Sequence, residues 1–175
     1  MPLKDANMNE NPYAAPTATI ITPQQQAIYT KELKSARTIL IIVGVIQVIF
    51  GIYYLTQVRE TFDEAAAAEV KAMGPGYTLD PALLEQAWLD SKGKMYAASA
   101  VPLLLAVFFF VMAALVYKRP VGITLASLIV FVLAHVADAV VDPATIVKGI
   151  LIKIIFVVIL LKAYQSAKAA KAALQ

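Results

Sequence analysis

Five ionisable side chains, His135, Asp138, Asp142, Lys148 and Lys153, interrupt the otherwise apolar stretch 121–161. A charge near the centre of a bilayer costs roughly 2.5–3.5 kcal/mol on insertion scales, so each needs a partner, water or a route to the interface. Histidine titrates near neutral pH and a buried lysine can give up its proton. His135, Asp138 and Lys153 could therefore line a hydrated polar pocket or relay protons. His135 and Asp138 stand at i, i+3 and Asp142 follows at i+7, so a helix reaching that far carries all three on one narrow stripe. The same stripe could face a metal ion, but one histidine and an aspartate at a turn form a poor ligand set, and no metal is expected.

Each charge also has a structural reading. Asp142 precedes Pro143 and suits the cap of the following helix, where a carboxylate meets the positive helix end. Asp138 lies about four residues, or ~6 Å, below that turn, at a depth comparable to Lys148 on the facing helix, and the two are natural ion-pair partners. Lys153 lies ~15 Å past Pro143, close to the midplane. Lys148 and Lys153 are ~140° apart around their helix and cannot both address one neighbour. Gln47, also near a midplane, shares a face with Gly44 and Gly51, which would let another helix approach closely. Hydrogen bonds from Gln47, His135 and Lys153 to neighbouring helices would fix the register of the spans, or an intramembrane acid on a partner protein would pair with Lys153.

The elements that hold these residues are helices crossing a membrane. The chain of 175 residues is 60% hydrophobic and 15% charged, with a mean hydropathy of +0.71, outside the range of soluble domains. Spans are expected at about 38–55, 95–117, 121–141 and 144–163, each near the ~20 residues that cross ~30 Å of hydrocarbon. The turns at 118–120 and 142–143 are too short for anything but antiparallel neighbours, which places spans two, three and four side by side. A small-residue stripe of Ser99, Pro102, Ala106 and Ala113 marks span two, with Pro102 expected to kink it. Thr22-Pro23 reads as an N-cap followed by proline at the first helical position, so a helix starts there and runs into span one.

Segment 56–94 is expected to form a helical hairpin outside the hydrocarbon. Val58, Phe62, Ala66, Val70 and Met73 make an apolar stripe continuing span one, Gly74-Pro75-Gly76 breaks it, and Asp80-Pro81 restarts a helix leading into span two. Trp88 belongs near the headgroups. Residues 1–22 read as a disordered tail, 23–165 as the membrane domain, and 166–175 as a basic tail continuing span four toward anionic lipid.

Lys31, Lys34 and Arg37 precede span one, Lys118 and Arg119 join spans two and three, and Lys162, Lys168 and Lys171 follow span four. Segment 56–94 holds four basic and seven acidic residues. By the positive-inside rule both termini are cytoplasmic and the hairpin is extracytoplasmic. The basic residues thus mark topology, not nucleic acid, despite a pI near 9.0.

The absence of cysteine excludes disulfides, thiolate metal sites and cysteine nucleophiles. HExxH, GxSxG, a P-loop and a glycine-rich dinucleotide turn are likewise missing. Glu60 with Asp63 or Glu64 reads as a solvated helix face. Asn11-Pro12-Tyr13-Ala14-Ala15-Pro16 resembles the Asn-Pro-Tyr-x-x-Pro leader of many small bacterial multi-span membrane proteins. That resemblance implies a bacterial inner membrane and brings no catalytic residue.

The sequence therefore predicts an all-α bundle of four transmembrane helices with a short extracytoplasmic helical hairpin between spans one and two. A non-enzymatic accessory or interaction component without a cofactor is expected, in contact with the bilayer and with a membrane-protein partner or further copies of itself. The main alternative is a small oligomeric ion or proton conduit using Gln47, His135, Asp138 and Lys153; an enzyme acting on lipid at the outer leaflet is a third.

Overall fold

A computed structural model of the chain describes residues 21–74, 76–78, 80–141 and 150–174, without the side chains of Asp138, Ala139 and Val141. Among the described residues five helices follow in order: α1 (Pro23–Met73), α2 (Pro81–Ser99), α3 (Val101–Leu115), α4 (Pro120–Val141) and α5 (Ile150–Ala172). Four stretches are long and apolar enough to cross a membrane: α1, α2 with α3, α4 and α5. The protein is all-α, with four candidate membrane spans. The Asn11–Pro16 leader, the Asp142-Pro143 turn and Lys148 lie outside the described residues.

The helix starts follow local cap chemistry. The Thr22 hydroxyl accepts the backbone N–H of Gln25 at 3.2 Å, and the Thr22 N–H donates to the Gln25 side chain at 2.9 Å, a reciprocal box with Pro23 at the first helical position. From there α1 runs for 51 residues, ~76 Å at 1.5 Å per residue, more than twice the hydrocarbon thickness. It ends at Gly74, whose φ of 104° is open to glycine and costly for other residues. Asp80 caps α2 by accepting the N–H of Ala82 at 2.9 Å.

The expected disturbance at Pro102 falls just before it, at Ala100. The Ala100 N–H is shared between the carbonyls of Tyr96 and Ala97 at 3.0 and 3.3 Å, while Leu103 and Leu104 both donate to the Ala100 carbonyl. Proline has no N–H to return to Ala98, so the hydrogen-bond ladder tightens and restarts there.

The long helix α1 is the hub, packing mainly against α3 on one side and α5 on the other, while α4 rests mainly on α5 and more lightly on α3. Spans two and three are thus neighbours, but each has a more extensive contact elsewhere. Glycine explains part of this. A Cβ on Gly51 would lie 2.5 Å from the Leu103 side chain and 3.1 Å from its backbone nitrogen; one on Gly44 would lie 2.9 Å from the Phe110 ring. The α1–α3 approach therefore depends on bare backbone, and on buried Ala106 and Ala113 of α3.

Phe131 of α4 is 1% exposed and ties three helices, its ring 6.4 Å from Phe109 of α3 and 5.4 Å from Phe156 of α5. Residues 166–172, expected as a tail, remain helical and bury Ser166, Ala167 and Ala170. α1 packs against α5, and Ala167 and Ala170 of α5 share one buried cluster with Leu33 and Ala36 of α1. Arg37 donates to the Tyr117 hydroxyl at 3.4 Å and lies 5.4 Å from its ring centre, bringing the α3–α4 turn to the same end. Eight exposed cations gather there: Lys31, Lys34, Arg37, Lys118, Arg119, Lys162, Lys168 and Lys171.

Candidate functional site

The intramembrane polar residues do not converge on one described cluster. Gln47 is 5% exposed on the face of α1 that carries Gly44 and Gly51, as its spacing predicts. Among the described residues no hydrogen bond reaches its amide, and none joins it to His135. His135 is half-buried on α4. Its Nδ1 lies 2.9 Å from the carbonyl of Phe131, one turn earlier, and the two rings are 4.2 Å apart. A carbonyl only accepts, so this contact requires Nδ1 to carry a proton, leaving Nε2 as the second site. The described bond of Nδ1 is thus within α4. The i−4 carbonyl is the nearest acceptor where water is excluded.

Lys153 is half-buried on α5 and is not without an interaction partner. Asp138 lies on α4, three residues from His135, but its side chain is outside the described residues, so the Asp138–Lys148 pair is outside them too. No described group of three or more histidine or carboxylate side chains could hold a metal.

Two polar positions escaped the sequence reading. Thr124 and Ser127 on α4 are fully buried. The Thr124 hydroxyl donates to the carbonyls of Pro120 and Val121 at 2.9 and 3.2 Å, and the Ser127 hydroxyl to that of Ile123 at 2.9 Å. With hydroxyls folded back on their own helix they act as small packing residues. Their i, i+3 spacing, continued by Phe131 and His135 at four-residue steps, was the available signal.

A second constellation stands in the hairpin. Arg59 of α1 binds Asp63 one turn on at 3.1 Å and reaches Glu85 of α2 at 3.0 Å. Its guanidinium also lies 4.9 Å from the Trp88 ring centre and 5.9 Å from that of Phe62, with the two rings 5.3 Å apart. Asp63 first, then Glu85, raises the guanidinium pKa above its ordinary value. The stability this lends is present at ordinary pH and is lost only as pH rises through the raised value, in strong alkali. Arg59 thus fastens α2 to α1, and Trp88, only 9% exposed, is the apolar half of the clasp.

Comparison with family models, with curated proteins and with solved structures finds no match. The chain is an integral membrane protein with four candidate spans.

Proposed function

We propose that this chain is a non-enzymatic accessory component of a membrane assembly, anchored by four spans and offering the α1–α2 hairpin to a protein partner on the extracytoplasmic side of a bacterial inner membrane. The carrying observation is the hairpin's construction. It is fastened internally by Arg59 and shares one uninterrupted helix with span one, yet Tyr77, Leu83 and Leu89 remain 63%, 62% and 52% exposed beyond the expected hydrocarbon. A stiff projection with uncommitted large apolar side chains suits recognition better than chemistry.

A photo-reactive residue at Leu83, used in intact cells expressing the full chain, tests this reading. A discrete cross-linked product is expected, and Leu83→Glu with Leu89→Glu should abolish co-purification of the partner in mild detergent while leaving Trp88 emission unchanged. Consistent recovery of the chain alone, with no cross-link, would overturn it. A second reading, an oligomeric proton conduit, draws on His135, where only Nδ1 is engaged among the described residues. It requires proton flux into vesicles loaded with a pH-sensitive dye, diminished in His135→Ala and Lys153→Met.

A further inference from the structure

We infer that the groove between the start of α4 and the last turns of α5 seats the phosphate headgroup of an anionic phospholipid. Tyr164, Lys168 and Lys171 stand at i, i+4 and i+7 and form one face of α5. With Val121 and Ala172 they line a cavity of about 250 Å³. That is just below the ~300 Å³ at which sites for drug-sized ligands begin, room for a headgroup but not for a whole lipid.

The lining supplies two ammonium groups and a phenol hydroxyl, all hydrogen-bond donors, and no carboxylate. Segments 116–122 and 162–174, which bear the groove, contain no acidic residue, and on the neighbouring start of α1 Glu32 stands among Lys31, Lys34 and Arg37, so the charge balance at this end is positive. Depth favours lipid over a soluble anion once side-chain direction is counted. With hydrocarbon ending near residue 163, the backbone of Lys168 lies ~7.5 Å and that of Lys171 ~12 Å beyond it, at and past the outer edge of a headgroup layer roughly 5–7 Å deep. Helix side chains lean toward their N-terminus, which here turns both ammonium groups back toward the phosphates. Val121, half-buried, gives the groove an apolar wall where the glycerol esters of a lipid would lie. Basic pockets between membrane helices at a cytoplasmic face are a known mode of headgroup binding.

The test is native mass spectrometry of the full detergent-solubilised chain with phosphatidylglycerol, phosphatidylcholine or inorganic phosphate. One saturable phosphatidylglycerol per chain is expected. Lys168→Gln with Lys171→Gln should weaken it roughly thirtyfold, from two lysine contacts near the surface. The charge-matched control, Lys31→Gln with Lys34→Gln, should leave it within about twofold. Lys168→Arg with Lys171→Arg should retain binding, and an unchanged melting midpoint shows each variant is folded. Equal weakening in both glutamine pairs would reduce the effect to diffuse charge and overturn the site. Phosphatidylcholine binding as tightly as phosphatidylglycerol, or displacement of the lipid by inorganic phosphate, would overturn the anionic-lipid assignment.

Discussion

Arg59 ties the two helices of the hairpin together. It joins elements 26 residues apart in the chain, and it sits against Trp88, the chain's single tryptophan. Replacing it with methionine keeps an apolar stem against the rings but removes both carboxylate bonds and the cation. Trp88 emission should then shift to the red and become more open to a soluble quencher, while the thermal midpoint of the spans changes little, because the clasp is expected to lie outside them. An unshifted spectrum would show that Phe62 and Tyr96 hold the indole without the guanidinium. His135 teaches a related lesson: its place in an apolar helix was legible in the sequence, but its bond to the Phe131 carbonyl of that same helix was not.

At the scale of elements, the starts of α1 and α2 were legible because cap chemistry is local: Thr22 with Pro23 and Gln25, and Asp80 with Pro81, carry their own instructions. Pairing between helices was legible where glycine spacing announces it, as at Gly44 and Gly51. It was obscure elsewhere. Thr124 and Ser127 resemble any other small polar residue until the face that buries them is known, and the alanines of 163–170 look like tail composition until α1 lies beside them.

Gly51 and Gly44 provide a graded test of the α1–α3 contact. Gly51→Ala meets both the side chain and the backbone of Leu103, and backbone cannot rotate away; overpacking of this kind costs about 1–3 kcal/mol. At Gly44 the three nearest atoms all belong to the Phe110 ring, which is 38% exposed and can turn more easily than backbone. The melting midpoint in detergent should fall more for Gly51→Ala than for Gly44→Ala. The reverse order would mean that α3 sits elsewhere.

Across the whole molecule, charge is sorted by end. Segment 56–94 carries a net −3, from four basic and seven acidic residues, while the eight exposed cations lie at the opposite end. The natural lack of cysteine makes the implied orientation simple to measure. Single cysteines at Tyr77, Gln24 and Ala169 should divide cleanly: an impermeant maleimide labels Tyr77→Cys in intact spheroplasts, and reaches Gln24→Cys and Ala169→Cys only after the membrane is opened. Labelling of all three from outside, or the opposite pattern, would refute the topology.

The uninterrupted course of α1 also makes it a lever. From Gln47 to Met73 at its far end is ~39 Å of helix, so a 10° change of tilt about Gln47 would carry the tip about 7 Å sideways. Bilayers of different thickness are met partly by helix tilt. With the hairpin outside the hydrocarbon, as proposed, its position would be geared to the thickness of the lipid beneath it, and a partner at Leu83 and Leu89 would meet a pointer whose reading the bilayer helps to set.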